Sequence, residues 1–359
     1  MQKYVVWLVA VLSIAACTKE GDTIYLPDPN EEKASTKPLV TVIYGDNSLG
    51  DRSYCDIIYE GVERTAQELG LRTMQLSPQS TEEGLQYLEL MFRQMEAAKD
   101  SVRRLFIVTS PVYDEYLRKN SNRLAKNANA DLLYLETRTP LPGKGSTLFM
   151  PYYGAMFEAG AILPALGGRT MLIGANRREQ AIIDAIQGFS DGWNADMTSV
   201  YIRVKKYLGT TYLDETGEGG YVVADTTAMR MIHQWIEDEI FDIVPICGGA
   251  FNTFWRMNEI ELGNLFIVGI DNEYHARRSR LSVVKHIDQA MDHCIRQWLS
   301  SEGMPKHQSL GLESGFTEVT RTYMNYPDQY WAEILEQLNE EKLKEIHETA
   351  LRKEAEYER

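Results

Sequence analysis

Cysteine is scarce in this chain, four in 359 residues, and none stands at metal-ligand spacing from another cysteine or from a histidine. That excludes a zinc module and a disulfide framework. Apart from Cys17 the cysteines are Cys55, Cys247 and Cys294, an odd number that does not fully pair, and they read as small buried residues. The six histidines show no paired ligand spacing, and His233, His286 and His293 fall on expected helices with no nucleophile beside them. His-Glu-x-x-His and Gly-x-Gly-x-x-Gly are absent, which removes the commonest metalloprotease and dinucleotide-binding signatures. No metal and no cofactor is expected. Positive charge is also in short supply: 37 Lys and Arg against 52 Asp and Glu give a formal charge of −15. A chain of that sign repels nucleic acid and gains nothing from broad contact with anionic lipid.

A membrane-spanning run is missing too. The apolar stretch 5–16 is too short to cross a bilayer; it follows Lys3 and ends in small residues before Cys17, as a signal peptide does. Ile14-Ala15-Ala16-Cys17 resembles a bacterial lipobox, which implies that Cys17 becomes the first mature residue and carries lipid holding a soluble domain at a membrane of the cell envelope. Residues 18–38, rich in Glu, Asp, Pro, Ser, Thr and Lys, suit a flexible tether. A plain secreted protein with an incidental Cys17 is the alternative.

What is present is an alternation of strands and helices. Hydrophobic content of 44% is ordinary for a globular protein, and the length favours two domains. Strands are expected at 39–44, 71–76, 104–109, 131–136, 170–173, 199–207, 241–246 and 264–270. Helices are expected from Tyr54, at 81–99, after Ser110-Pro111 to about Asn127, and at 152–166, 177–195, 226–239 and 250–262, with a loop at 209–220. Repeated βα units imply parallel sheets covered on both faces, so the fold class is α/β with two doubly wound lobes. Residues 139–146, with two prolines and two glycines, read as the break between them. Residues 328–359 read as a long amphipathic helix whose distal part, 348–359, is almost wholly charged and free to fray.

Candidate chemistry lies at three strand ends, where open α/β sheets bind ligands. The first supplies Asp46, Asn47, Ser48, Asp51 and Ser53, with Tyr54 as an aromatic face. Asp51 or Ser53 also reads as an N-cap, and the two roles are compatible. The second is Cys247-Gly248-Gly249-Ala250-Phe251, where glycines let backbone N–H groups approach a ligand and Phe251 offers a ring. The third pairs Asp271 with Lys285, a carboxylate and an ammonium suited to gripping hydroxyls, or else a surface ion pair.

In order along the chain, these pieces resemble the basic membrane protein (BMP) family of purine-nucleoside-binding lipoproteins. The resemblance rests on Gly50-Asp51-Arg52-Ser53-Tyr54-Cys55 with Glu60-Gly61, Gly154-Ala155-Met156-Phe157-Glu158-Ala159-Gly160, Gly188-Phe189-Ser190-Asp191-Gly192, Cys247-Gly248-Gly249, Val268-Gly269-Ile270-Asp271, and above all Ser282-Val283-Val284-Lys285-His286-Ile287-Asp288. It implies a type I periplasmic-binding-protein fold with a hinge. The first lobe would span 39–147 with a return segment at about 275–305, and the second 148–274 with about 306–327. It further implies a nucleoside stacked on Tyr54, ribose held by Asp271 and Lys285, and an ABC permease as partner. Cys55 stands where the family has Asn, and Asp114 is the candidate for its base-reading Asp. A sensor lipoprotein and a lipoprotein hydrolase are the competing functions.

Overall fold

The computed structural model describes residues 36–46, 48–199, 205–214, 218–261, 265–272, 279–321, 334 and 336–358. Cys17, the leader, residues 18–35 of the tether and Asn47 lie outside the described residues. The fold below is that of the compact unit Pro38–Arg359.

The first lobe begins with β1 (Leu39–Ile43), α1 (Tyr54–Leu69), β2 (Arg72–Leu76), α2 (Thr81–Ala97), β3 (Arg104–Val108), α3 (Asp114–Asn120), β4 (Ala130–Leu135) and β5 (Ser146–Phe149). Four of five residues in β1 and β3 are buried, whereas edge strand β2 is only half-buried throughout. That is the gradient expected from the middle to the rim of a sheet covered by helices. The second lobe contains α4 (Tyr153–Leu166), β6 (Arg169–Gly174), α5 (Gln180–Asn194), β7 (Tyr207–Tyr212), α6 (Asp225–Glu237), β8 (Asp242–Ile246), α7 (Ala250–Ile260) and β9 (Phe266–Ile267). The chain continues through β10 (Gly269–Asp271), β11 (Ser282–Lys285), α8 (Ile287–Leu299), β12 (His307–Ser309), β13 (Thr317–Thr320) and α9 (Glu340–Tyr357).

The first sheet has strand order β12-β5-β4-β3-β1-β2, all parallel, and the second β7-β6-β8-β9, also all parallel. A third sheet, β10-β11-β13, has one parallel and one antiparallel pairing. The order reverses around β1 in one sheet and around β6 in the other, which opens a crevice at the strands' carboxyl ends. Both sheets therefore present loops there, the one after β1 and the one after β8.

Close helix packing builds the second lobe. All fourteen residues of α4 are buried. A Cβ at Gly160 would sit 2.1 Å from the Phe189 carbonyl oxygen, and one at Gly192 would sit 2.0 Å from that of Phe157. No side chain fits, so α4 and α5 meet backbone to backbone. The glycines of two quoted motifs are thus accounted for by packing.

Three segments cross between the lobes: Met150–Tyr152 into α4, His286 from β11 into α8, and Leu310–Phe316 from β12 to β13. The expected break at 139–146 is corrected here, because β5 still pairs with β4 in the first sheet and the chain leaves that lobe only after Phe149. The strand expected at 199–207 is found at Tyr207–Tyr212, inside the expected loop; 200–204 lie outside the described residues. The strand expected at 264–270 is two: Val268 N donates to Ile243 in the second sheet, and Gly269 N to Leu281 in the third. Around the return, β12 joins the first sheet, while Ser282–Lys285 pairs in the third. The distal C-terminal residues, expected to fray, are helical: α9 runs to Tyr357, with Glu354 buried. Among the described residues no helix is long and apolar enough to cross a membrane.

Candidate functional site

The loop after β1 is shaped by Asp51. Its carboxylate accepts hydrogen bonds from the backbone N–H groups of Ser53, Cys55 and Asp56, at 2.8, 3.1 and 3.2 Å. These are the orphan donors of the first turn of α1, so the side chain of Asp51 is the cap. Burial raises its pKa, and those N–H donors oppose the rise. Ser53 is released from capping. Its buried hydroxyl instead donates to Asp271 Oδ2 at 2.7 Å, across from one lobe to the other.

Asp271 ends β10 at φ +66°, in the left-handed region that non-glycine residues rarely adopt. Its second oxygen accepts from the Tyr152 hydroxyl. Burial pushes its carboxyl up to about 6, with the Lys285 ammonium acting in the opposite direction. Lys285 ends the neighbouring strand β11 and is almost wholly buried. Its Nζ lies 4.2 Å from the ring centroid of Tyr152 and 5.7 Å from that of Tyr54, within cation–π range. It donates to Glu136 Oε1 at 2.6 Å.

Glu136 and Tyr152 are the site residues that sequence reasoning misses. Glu136 follows β4 at φ +56°, and among the described residues its Oε2 is buried with no hydrogen-bond partner. Two left-handed non-glycine residues facing one lysine are the kind of backbone outlier that marks a functional constraint. The sequence signal was a carboxylate at a strand end, the same signal that picked out Asp271. Tyr152 sits on the first crossover, so the strand–helix pattern alone gave it only a helix start. Tyr54, half-buried beside this group, has its phenol raised well above the ordinary range by burial first and by the Glu136 charge next.

The turn after β8 faces the same loop. Asn252 Nδ2 donates to the Asp51 carbonyl at 2.9 Å, and a Cβ at Gly249 would stand 3.6 Å from Asp51 Cβ. Gly248 has φ +50°, and a Cβ there would meet the Tyr221 ring at 2.9 Å. The aromatic that the second lobe brings to this turn is therefore Tyr221, whose hydroxyl donates to Glu179 at 2.5 Å. Phe251, expected as a stacking ring, is buried in the second lobe's core and stacks on Trp255 at 5.9 Å. Positions 251 and 254 lie on the inward face of α7, which leaves Phe251 no free face for a ligand. Asp114 pairs with Arg118 at 2.7 Å, and Arg118 in turn binds Thr137. Asp46 is exposed in the loop after β1.

The site thus assembles three carboxylates, one ammonium and two phenol rings from both lobes. The hydrogen bonds among these groups are of a type that a ligand hydroxyl can replace, and Glu136 Oε2 has no partner among the described residues. Among the described residues no His, Cys, Asp and Glu group of metal-holding geometry occurs.

Gly188-Phe189-Ser190-Asp191-Gly192 has the Gly-x-Ser-x-Gly spacing of a hydrolase nucleophile. These residues lie inside α5, not on a strand-to-helix turn, and Ser190 Oγ donates to the Ile186 carbonyl at 2.7 Å. The strand-to-helix turn that exposes such a serine is missing.

No family model matches the chain, and no curated protein matches it. Solved structures do. An ABC transporter solute-binding protein from Aeropyrum pernix K1 is 19% identical with a TM-score of 0.63, covering 88% of this chain and 86% of that one. A transcriptional activator of the comK gene from Bacillus halodurans is 14% identical with a TM-score of 0.59, over 83% and 95%. A periplasmic solute-binding protein from Actinobacillus succinogenes 130z with bound D-allose is 13% identical with a TM-score of 0.57, over 81% and 100%. The chain has the two-lobed α/β fold of these proteins.

Proposed function

We propose that this protein is a lipid-anchored solute-binding protein that captures a small, uncharged, hydroxyl-bearing ring compound, a nucleoside in the first instance, and passes it to an ABC permease. The observation that carries the reading is the cluster Asp271–Tyr152–Lys285–Glu136 with Tyr54, at the junction of two lobes. Carboxylates accept from hydroxyls, the ammonium donates to them, and the Tyr54 ring covers a flat face. Two carboxylates against one ammonium in this cluster disfavour phosphorylated or carboxylated ligands. The similar solute-binding proteins, one of them with bound D-allose, support a solute-binding role, and the ordered BMP-like motifs support a nucleoside. Lipid attachment at Cys17 follows from the lipobox resemblance alone.

Calorimetric titration with adenosine, guanosine, inosine and their 2′- and 3′-deoxy forms tests this. Saturable binding without turnover, weakened for the deoxy forms, is expected. Failure of all nucleosides removes the ligand class, and turnover of any of them removes the binding role. A second reading, the same lobes serving a ligand-binding sensor, is supported by the similarity to a transcriptional activator from Bacillus halodurans.

A further inference from the structure

Among the described residues, Glu354 is a carboxylate without a cation. It lies on the last turns of α9, is 6% exposed, and accepts from two backbone N–H groups: Gly154 at 2.9 Å and Leu312 at 2.9 Å. Gly154 is in the first turn of α4, just beyond the first crossover, and Leu312 is in the third. The contact is tailored on both sides. A Cβ at Gly154 would come within 2.4 Å of Glu354 Oε2, and one at Gly311 within 2.5 Å of Oε1. A single side chain therefore ties together two of the three strands of chain that join the lobes.

The same helix is fastened at both ends of this contact. Two turns before, His347 meets buried Glu158 of α4 at 2.8 Å. Beyond it, Tyr357 stacks on Tyr153 with centroids 3.9 Å apart, and its hydroxyl donates to Asp184 at 2.8 Å. Asp184 lies on α5 in the second lobe and also accepts from Arg138, at 2.6 Å; Arg138 belongs to the loop after β4 in the first lobe. The Arg138 guanidinium lies 4.9 Å over the Tyr357 ring. Glu358, next along, takes the hydroxyl of Ser309 on β12, again in the first lobe. Meanwhile Leu343, Ile346 and Ala350 are buried in the second lobe's core.

We infer that α9 is a strap across the hinge: rooted in the second lobe by its apolar face, it binds two crossovers through Glu354 and clips the first lobe through Tyr357, Asp184 and Arg138, so that it restrains opening of the cleft. A hinge opens by rotation of a few connecting residues. Residues 154 and 312 border those connections, and rotation there pulls their N–H groups away from one shared carboxylate. The strap sets the ratio of open to closed lobes, and with it the fraction of protein ready to admit or to hold a ligand. This rests on the two-lobed binding reading but needs no ligand to be tested.

The test is a distance measurement between the lobes. Spin labels on Arg93→Cys of α2 and Glu237→Cys of α6, both exposed positions, report lobe separation. Native Cys55, Cys247 and Cys294 are buried and escape labelling, and Cys17 is replaced by serine in every protein compared. Two strap variants are compared with wild type in the full chain: Glu354→Gln, which sets an amide N–H₂ against a backbone donor, and Arg138→Gln, which opens the clip and leaves α9 in place. Hydrogen exchange at the Gly154 and Leu312 amides is followed in parallel. Growth of a longer-distance population in both variants, with faster exchange at those two amides in Glu354→Gln, is the expected result. Unchanged distances in both variants overturn the strap even if exchange at the amides rises. Should Glu354→Gln fail to fold, Arg138→Gln decides alone, and an unshifted distance distribution there overturns the inference.

Discussion

Glu136 and Lys285, 149 positions apart, meet at 2.6 Å where the loop after β4 faces the end of β11. The ammonium is 1% exposed and the carboxylate side chain 12%. The pair is thus largely desolvated and each charge depends on its partner. It converts the lysine from an anion trap into a donor for neutral groups.

Glu136→Gln keeps an acceptor for Lys285 but removes the neutralising charge. The preference for a nucleoside over its 5′-monophosphate is expected to fall by about tenfold or more, since about 1.4 kcal/mol is a factor of ten. Competition titration with the two ligands checks it. An unchanged preference places Glu136 outside the ligand's field.

Tyr54 offers the first lobe's ring. Stacking of a base on an aromatic is worth roughly 1–3 kcal/mol. Tyr54→Ala is expected to weaken nucleoside binding by about tenfold or more, while Tyr54→Phe retains it. Equal affinity for the alanine variant would assign the ring to packing alone.

Glu354 makes stability depend on pH. Burial pushes its carboxyl up to about 7, with Glu358 and Glu313 adding to the rise and the Gly154 and Leu312 N–H groups opposing it. The unfolded value is about 4.5. The folded state therefore favours the protonated form. Its contribution is fully present below about pH 4.5 and is lost as pH rises through about 7. Relative to Glu354→Gln, the wild type is expected to lose melting temperature between pH 4.5 and 7, at no more than about 1.4 kcal/mol per pH unit. Parallel melting curves for the two proteins over that range would contradict this.

The fold was largely legible because β-branched apolar runs ending in polar loops mark buried parallel strands directly. Asp271, Lys285 and the loop of Asp51, Ser53 and Tyr54 stood out for the same reason: each is a polar residue where an apolar run stops. Glu136 gave the same signal but was passed over, because its meeting with Lys285 depends on strand order, which no local pattern encodes. Tyr152 was hidden by its place on a crossover. Phe251 looked like a ligand ring because a strand-end turn precedes it; the helical period that turns it inward needs Phe254 as a second point. β5 was not recognised as a strand, since its four residues follow a Pro- and Gly-rich stretch and are too short to show alternation. Charge density at the C terminus suggested fraying, whereas burial of Glu354 comes from backbone donors supplied by distant segments.

Native mass spectrometry of the purified protein, incubated with an equimolar pool of nucleosides, free sugars, nucleoside monophosphates and sugar phosphates, tests the central claim most directly. The account predicts one to one retention of a neutral, ring-bearing polyol from the pool, most strongly a nucleoside, and its loss in Asp271→Asn and Lys285→Met variants that melt within a few degrees of wild type. Retention of a phosphorylated compound in preference to the neutral ones, or retention undiminished in both variants, would contradict it.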